Sequence, residues 1–230
     1  MSVLGAYTKE KAIRVNGYLA WHGDEEKESK FVTSEKRRSE FDFYIKHANK
    51  TGGPILELCS GACRVMAPLA QMGFAVYGLE ASRPMIDLGL DKVIPRLSSE
   101  ERKKIHIVQG DMYNFAFNRQ FPLIIIPFCT FWYNCRNAVK AVHDNSVEDE
   151  TLYLEMARLG EQCLVCIIRA LNPGGLFIID SARSGDWLLS PPGLQDWWER
   201  MSEKYNFDYE YKHYDDSISG PGHVIVGRKK

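Results

Sequence analysis

The chain has no surplus of charge of either sign. It carries 29 Lys and Arg against 30 Asp and Glu, which gives a formal net charge of −1 over 230 residues. A surface that holds nucleic acid is strongly basic, because it must neutralise phosphates. The sequence shows no basic stripe and no appended RNA-binding module. We therefore expect no nucleic-acid partner.

Long apolar runs are also missing. No stretch approaches the roughly 18 apolar residues of a membrane-spanning helix. Residues 1–9 lack the apolar core of a secretion signal. The 6 cysteines, without any secretory feature, are typical of reduced thiols in a cytoplasm. We therefore expect a cytoplasmic protein with no membrane partner, and the sequence does not indicate an oligomeric state.

Two of the cysteines, Cys163 and Cys166, have the spacing of a redox motif. They lie within residues 156–171, where apolar side chains recur at helical spacing. A redox pair needs the exposed start of a helix, where the helix dipole lowers the thiol pKa. Cys163 and Cys166 are in the middle of the predicted helix, so we expect them in the core.

Apolar segments typical of strands alternate along the chain with apolar segments that have the spacing of helices. After a helix that begins near Ser39, strands are predicted at 55–58, 75–79, 105–109, 123–128 and 176–180, with helices at 65–72, 84–90 and 151–171 between them. This order favours a largely parallel sheet covered by helices on both faces. A Trp-rich helix at 193–201 follows, and segments 207–214 and 222–228 predict an antiparallel hairpin at the sheet edge.

Glycine is scarce in one turn that normally needs it. Ile55–Arg64 reads as a strand, a tight turn and a helix start, and the next strand ends on Glu80. Open α/β sheets hold nucleoside-bearing cofactors in this way, since the acid accepts hydrogen bonds from ribose hydroxyls. Only Gly61 remains in the turn, between Cys59 and Cys63. Because side chains restrict positive φ, we expect negative φ at both cysteines.

Four segments in order resemble one family, the class I (seven-stranded, Rossmann-like) S-adenosylmethionine-dependent methyltransferases. They are Ile55–Arg64, Val76–Glu80, Val108–Met112 and Ala170–Asp180. The resemblance covers about residues 38–182. It implies a methyltransferase enzyme with S-adenosyl-L-methionine as cofactor. It also implies an α/β three-layer sandwich with a mostly parallel seven-stranded sheet, an antiparallel C-terminal hairpin at the edge and a short helical N-terminal cap.

The resemblance also implies a role for each matching residue. Glu57 would orient the first turn and bond toward the methionine end of the cofactor, and Glu80 would take the two ribose hydroxyls. Asp111 would accept from the adenine amino group, while Met112 would lie on the adenine face. The remaining cofactor-binding positions are Cys59, Gly61, Ala81 and Pro127, and Pro127 with Phe128 would mark the mouth of the fourth strand.

We expect a single domain over residues 1–230, with an N-terminal cap at 1–37, a cofactor-binding core at 38–182 and a substrate lid at 129–150. The link after the fourth strand exceeds the usual two to six residues, which is typical of a cap or a mobile lid. Candidate substrate-binding residues are Tyr7, Tyr18, Phe131, Trp132, Tyr133 and Arg136. The alternative is that the aromatic residues only pack under the loop. His143 is the first candidate for a general base and Tyr133 the second, although a solvated loop histidine is the commoner outcome.

The acceptor can be narrowed by exclusion. Residues 127–130 are Pro-Phe-Cys-Thr, which lacks the Asn/Asp-Pro-Pro-Tyr/Phe motif of the family members that methylate amino groups of nucleic acids. A small-molecule acceptor, methylated on nitrogen or oxygen, is therefore the first hypothesis. A catalytically degenerate binding or scaffold subunit is the second, because two motif glycines are lost. A thiol-dependent metalloid methyltransferase that uses Cys59, Cys63, Cys129 and Cys135 is the third. Small buried thiols are favoured over a metal site.

Overall fold

A computed structural model describes residues 39–128, 130–143, 149–183, 194–216 and 220–230. The predicted N-terminal cap at 1–37, with Tyr7 and Tyr18, lies outside these residues. Cys129 lies outside them as well. None of the helices within the described ranges is both long and apolar enough to cross a membrane.

The described strands form one seven-stranded sheet in the order β3-β2-β1-β4-β5-β7-β6. Their bounds are β1 Ile55–Leu58, β2 Val76–Glu80, β3 Ile105–Gln109, β4 Phe121–Ile126, β5 Leu171–Arg183, β6 Phe207–Asp216 and β7 Gly220–Lys229. Strands β1 to β5 pair in parallel, and β7 pairs antiparallel with both β5 and β6. The predicted sheet and its edge hairpin are confirmed.

Helices cover both faces of the sheet. They are α1 Ser39–Thr51, α2 Met66–Gln71, α3 Arg83–Lys92, α4 Ser99–Arg102, α5 Thr130–Val142, α6 Asp149–Ala170 and α7 Leu194–Tyr205, with a 3-10 turn at Ile94–Arg96. Successive residues of a strand point to opposite faces of the sheet, where they pack into two separate hydrophobic cores. Leu56 and Leu58 pack with α5, α6 and α7, whereas Ile55 packs with α1 and α2 on the opposite face. This is the three-layer arrangement that the alternating pattern predicts.

Local signals in the sequence explain where helices begin. The Ser82 side chain accepts a hydrogen bond from the Met85 amide and caps α3, as predicted, with Pro84 in the first turn. Ser98 and Glu101 form a capping box at the start of α4. These caps satisfy backbone amides that have no partner inside the helix.

The turn predicted at Asn172–Gly175 exists, although it interrupts a strand and does not precede one. Phe121 of β4 pairs with Leu171 and Leu123 pairs with Leu176, so residues 172–175 lie opposite Pro122 alone. Gly174 has a φ of 72° there. The four residues therefore bulge out of β5.

The described part of the lid predicted at 129–150 is mostly helical, and its role as a lid stays a prediction. Most of this segment is helix, because Thr130–Val142 forms α5 and α6 already begins at Asp149. The apolar residues Phe131, Trp132, Cys135, Ala138 and Val139 recur at helical spacing and are all buried. This helical period shows that the aromatic residues Phe131 and Trp132 belong to a helix that packs on the core and not to a loop over a pocket.

Candidate functional site

The turn between β1 and α2 has the backbone of a glycine-rich turn without its glycines. The φ angles are 57° at Cys59, 51° at Gly61 and 67° at Cys63. The expectation of negative φ at the two cysteines is therefore wrong. The path from β1 into α2 requires left-handed residues at alternate positions, and each cysteine adopts that conformation at a cost of about 1–2 kcal/mol.

The carboxylate of Glu80 holds this turn against the end of β2. Its Oε2 accepts from the Gly61 amide and its Oε1 accepts from the Ser82 amide, both at 2.8 Å. Glu80 is only 4% exposed. Because a carboxylate accepts about four hydrogen bonds, these two contacts alone do not exhaust it. Glu80 thus lies against the turn, where the ribose hydroxyls of a nucleoside cofactor would need it.

Gly78 in the middle of β2 allows the turn to lie so close to the strand. A Cβ atom at Gly78 would overlap Met66 Sδ and would stand 2.6 Å from Ser60 Oγ. Gly61, by contrast, has room on its open side. Among the described residues, a Cβ there would meet only Met85 Cε, at 3.4 Å. A ligand can therefore approach the backbone at Gly61.

Cys59 connects the turn to two other elements. Its Sγ lies 3.2 Å from Met112 Sδ, and Asn134 Nδ2 of α5 donates to it at 3.2 Å. Burial, reinforced by the charge of Glu80, raises the pKa of the Cys59 thiol well above its usual value. The thiol is therefore protonated at neutral pH and joins the turn to Met112 and α5 as a packing contact.

Cys63 is also a buried thiol. It is fully buried, and burial, with a smaller contribution from the charge of Glu57, raises its pKa to about 12. Burial raises the pKa of Cys135 to about 12 as well. Within the described ranges no three His, Cys, Asp or Glu side chains are placed to hold a metal ion. The burial and raised pKa values of the described thiols therefore favour a role in core packing over a metalloid site.

The acidic residues of β1 and β3 lie on either side of Glu80 in the sheet. Glu57 is 2% exposed on β1, where it pairs with Gly78 of β2. Asp111 follows β3, and its Oδ1 accepts from the Tyr113 amide at 2.9 Å in a turn that leaves the residue half-buried. Ala81 is joined to the same edge, because its carbonyl accepts from Gln109 Nε2. Neighbouring strand ends thus bring together Glu57, Cys59, Gly61, Glu80, Ala81, Asp111 and Met112.

The end of β4 is organised by a residue that has no predicted role. Asp180, fully buried on β5, accepts from the Phe128 amide at 3.0 Å. Phe128 has a φ of 65°, and its ring lies 4.8 Å from the Arg64 guanidinium carbon. Pro127, beside it, is buried. Left-handed non-glycine residues cluster at functional sites. The sequence does contain a signal for Asp180, because its carboxylate directly follows the apolar residues 176–179 of a predicted strand.

The predicted substrate-binding residues divide into two groups. Phe131 and Trp132 are fully buried and contact Trp197, with ring centroids 6.5 Å and 5.1 Å away. This matches the alternative in which the aromatic residues pack in the core. Tyr133 and Arg136 are half-buried on the other side of α5. Their substrate role stays a prediction.

The catalytic role of the two predicted bases stays a prediction. His143 is exposed just after α5, whose 13 residues span about 20 Å from Thr130 beside Phe128. Burial raises the pKa of Tyr133, which makes loss of its proton harder.

Solved structures of methyltransferases share this architecture. Glycopeptide N-methyltransferase MtfA in complex with S-adenosylmethionine aligns with a TM-score of 0.61 at 16% identity, covering 84% of this chain and 93% of that one. The CcbJ methyltransferase from Streptomyces caelestis aligns with a TM-score of 0.57 at 16% identity, covering 83% of this chain and 90% of that one.

Magnesium protoporphyrin IX methyltransferase (ChlM) from Synechocystis PCC 6803, with bound S-adenosylmethionine, aligns with a TM-score of 0.59 at 11% identity, covering 98% of this chain and 100% of that one. No family model matches the chain, and no curated protein matches it in sequence. The sheet order and these alignments show that the chain has the fold of the class I, seven-stranded methyltransferases.

Proposed function

We propose that this chain is an S-adenosyl-L-methionine-dependent methyltransferase that acts on a small-molecule acceptor. The observation that carries the proposal is the Glu80 carboxylate, which lies against the open backbone of Gly61 at the end of β2. A carboxylate beside an accessible backbone at this edge suits a ligand with a ribose diol. The fold, shared with methyltransferases solved with this cofactor, supports the same proposal.

The described residues fit each part of the cofactor. Glu80 would accept from the ribose hydroxyls, and half-buried Asp111 would accept from the adenine amino group. Ala81 and Met112 would lie beside the adenine. Glu57 and the Gly61 backbone would hold the methionine end. Pro127 would border the site at the end of β4.

The cofactor, when bound, supplies a methyl group already activated on a sulfonium. The protein then has mainly to position an acceptor in line with that methyl group. In this chain the Asp180–Phe128 hydrogen bond fixes the end of β4. Phe128 is thereby held as one wall of the acceptor site, whose other walls would include Tyr133 and Arg136.

A small molecule with an amine or hydroxyl nucleophile is the proposed acceptor. The net charge of −1 offers no surplus of basic groups for a polyanion. Among the structural neighbours, MtfA is named as a glycopeptide N-methyltransferase and ChlM as a methyltransferase of magnesium protoporphyrin IX. Both names support an acceptor outside the nucleic acids.

Calorimetric titration with S-adenosylhomocysteine tests the cofactor assignment first. We expect one saturable site per chain, and the absence of binding at millimolar ligand would refute the proposal. Incubation with S-adenosylmethionine and mixtures of small amines and hydroxyl compounds then tests the acceptor class. The expected result is a product heavier by one methylene group, seen by mass spectrometry.

A degenerate binding subunit is the second candidate. The observation that favours it is that both Glu80 oxygens already accept backbone amides, while Cys59 and Cys63 stand at left-handed positions of the turn that glycine would suit better. This candidate predicts that S-adenosylhomocysteine binds but that no acceptor is methylated in any mixture. Methyl transfer to a single acceptor would eliminate it.

A further inference from the structure

Two histidines face each other on the C-terminal hairpin. His213 of β6 and His223 of β7 are direct partners in the antiparallel register, and their ring centroids are 4.6 Å apart with ring planes at 85°. His213 is exposed and His223 is half-buried. Directly opposed residues of an antiparallel pair project from the same face of the sheet. The two imidazoles therefore share one partly open position.

This spacing suits a metal ion bound between the rings. An imidazole nitrogen about 2.05 Å from a metal places the ring centre roughly 3.2 Å from that metal. Two such rings at about 90° around the ion have centres about 4.5 Å apart, whereas a tetrahedral angle gives about 5.2 Å. The observed 4.6 Å is the centre-to-centre distance that adjacent positions of an octahedral or tetragonal ion require once each ring turns a nitrogen toward the ion. Nickel and copper favour imidazole ligands in such geometries.

We propose that His213 and His223 form a two-histidine chelate for a divalent nickel- or copper-class metal ion. Within the described residues no third His, Cys, Asp or Glu completes a metal site with them. The inference does not depend on the proposed methyltransferase function.

The site lies at the same edge of the sheet as the end of β4. His223 pairs with Ala182 of β5, and β5 lies between β7 and β4. Two strand spacings of about 4.8 Å across the sheet and two residues of about 3.4 Å along β7 place His223 roughly 12 Å from the end of β4 in the plane of the sheet. The proposed chelate is therefore on the acceptor side of the molecule, away from Glu80.

Titration of the reduced, tag-free full chain with nickel chloride tests the proposal. Nickel is the probe because copper(II) would oxidise free thiols. Since the second imidazole binds from within the same molecule, His213→Gln and His223→Gln should each weaken nickel affinity about tenfold or more. His143→Gln, which removes an exposed histidine elsewhere, is the matched control and should bind as the unmodified chain does.

Thermal unfolding supplies a second readout. Nickel should raise the melting temperature of the unmodified chain and of His143→Gln, but not that of His213→Gln. His213 is exposed, so its replacement keeps the test valid even if His223→Gln fails to fold. Equal nickel affinity in the unmodified chain and His213→Gln would overturn the proposal. Absence of nickel binding to the unmodified chain would overturn it as well.

Discussion

The two halves of the sheet edge are built in different ways. In the half formed by the ends of β1, β2 and β3, the carboxylates accept hydrogen bonds from amides at most 19 residues away in the chain. Glu80 accepts from Gly61 and Ser82, and Asp111 accepts from Tyr113. In the half formed by β4, β5 and β7, the corresponding contact joins Asp180 to an amide 52 residues away.

In the proposed function, the first half binds the cofactor and the second half binds the acceptor. The proposed cofactor half is a set of short turns held by carboxylates at or just after strand ends, so single substitutions there should act on ligand affinity. The acceptor half is positioned by the packing of α5 against α7, with Trp132 and Trp197 in edge-to-face contact. Substitutions there should act first on stability.

The largest expected effect is that of Glu80→Gln. Glutamine offers one acceptor oxygen, so its amide group must face either the Gly61 or the Ser82 donor, and the charge-assisted contact to ribose is lost. We expect about 100-fold weaker binding of S-adenosylhomocysteine, with a loss of about 1–3 kcal/mol in the free energy of unfolding. Calorimetry and urea unfolding measure the two. Glu210→Gln, on exposed β6, is the matched control, and equal affinity in both variants would contradict the ribose assignment.

A pair of glycine substitutions compares the two halves directly. A Cβ at Gly78 would overlap Met66 under the cofactor turn, and a Cβ at Gly227 would overlap the Phe177 ring next to β7. Both Gly78→Ala and Gly227→Ala should cost about 1–3 kcal/mol in the free energy of unfolding.

Only Gly78→Ala should also weaken S-adenosylhomocysteine binding, by about tenfold, because it displaces the turn from β2. Urea unfolding and calorimetry on both variants make the comparison. A comparable loss of affinity in Gly227→Ala would show that the two halves are not separate.

The contrast explains what the sequence could predict. Each acidic residue of the proposed cofactor site stands at or near the end of its own strand, so the strand pattern places it at this edge of the sheet, while its proposed role comes from the family resemblance. Parallel strand ends meet at one edge of a sheet, which brings Glu57, Glu80 and Asp111 together without knowledge of side-chain packing. The fold and this half of the site follow from local pattern.

The other half depends on contacts that local pattern does not contain. Phe131 and Trp132 are buried because α7 supplies Trp197 and Trp198 from more than sixty residues further along the chain. The role of Asp180 depends on the left-handed backbone at Phe128. The φ angles of the cysteines were mispredicted for a related reason, since the chain path overrides the intrinsic preference of a residue.

Asp180→Ala should affect stability more than cofactor affinity. It leaves the Phe128 amide without its acceptor at the end of β4, which costs about 1–3 kcal/mol in the free energy of unfolding. Binding of S-adenosylhomocysteine should change less than threefold, because Asp180 lies in the acceptor half. Urea unfolding and calorimetry test this. A strong loss of affinity would instead assign Asp180 to the cofactor site.

The smallest expected effect concerns the backbone at Cys59. Alanine and glycine both remove the contacts of the thiol with Met112 and Asn134, so their difference reports the backbone alone. At a φ of 57° the Cβ of alanine costs about 1–2 kcal/mol, which exceeds the entropic disadvantage of glycine, about 0.5–1 kcal/mol. Cys59→Gly should therefore be more stable than Cys59→Ala by about 0.5–1 kcal/mol.

Ala62, in the same turn but outside the positive-φ residues, is the matched control for that comparison. There the order should reverse, so that Ala62→Gly loses about 1 kcal/mol against the unmodified chain. Urea unfolding of the three variants measures both differences. If Cys59→Ala proved the more stable of its pair, the left-handed conformation would not persist in solution, and Glu80 would not hold the turn in the form that leaves Gly61 open to a ligand.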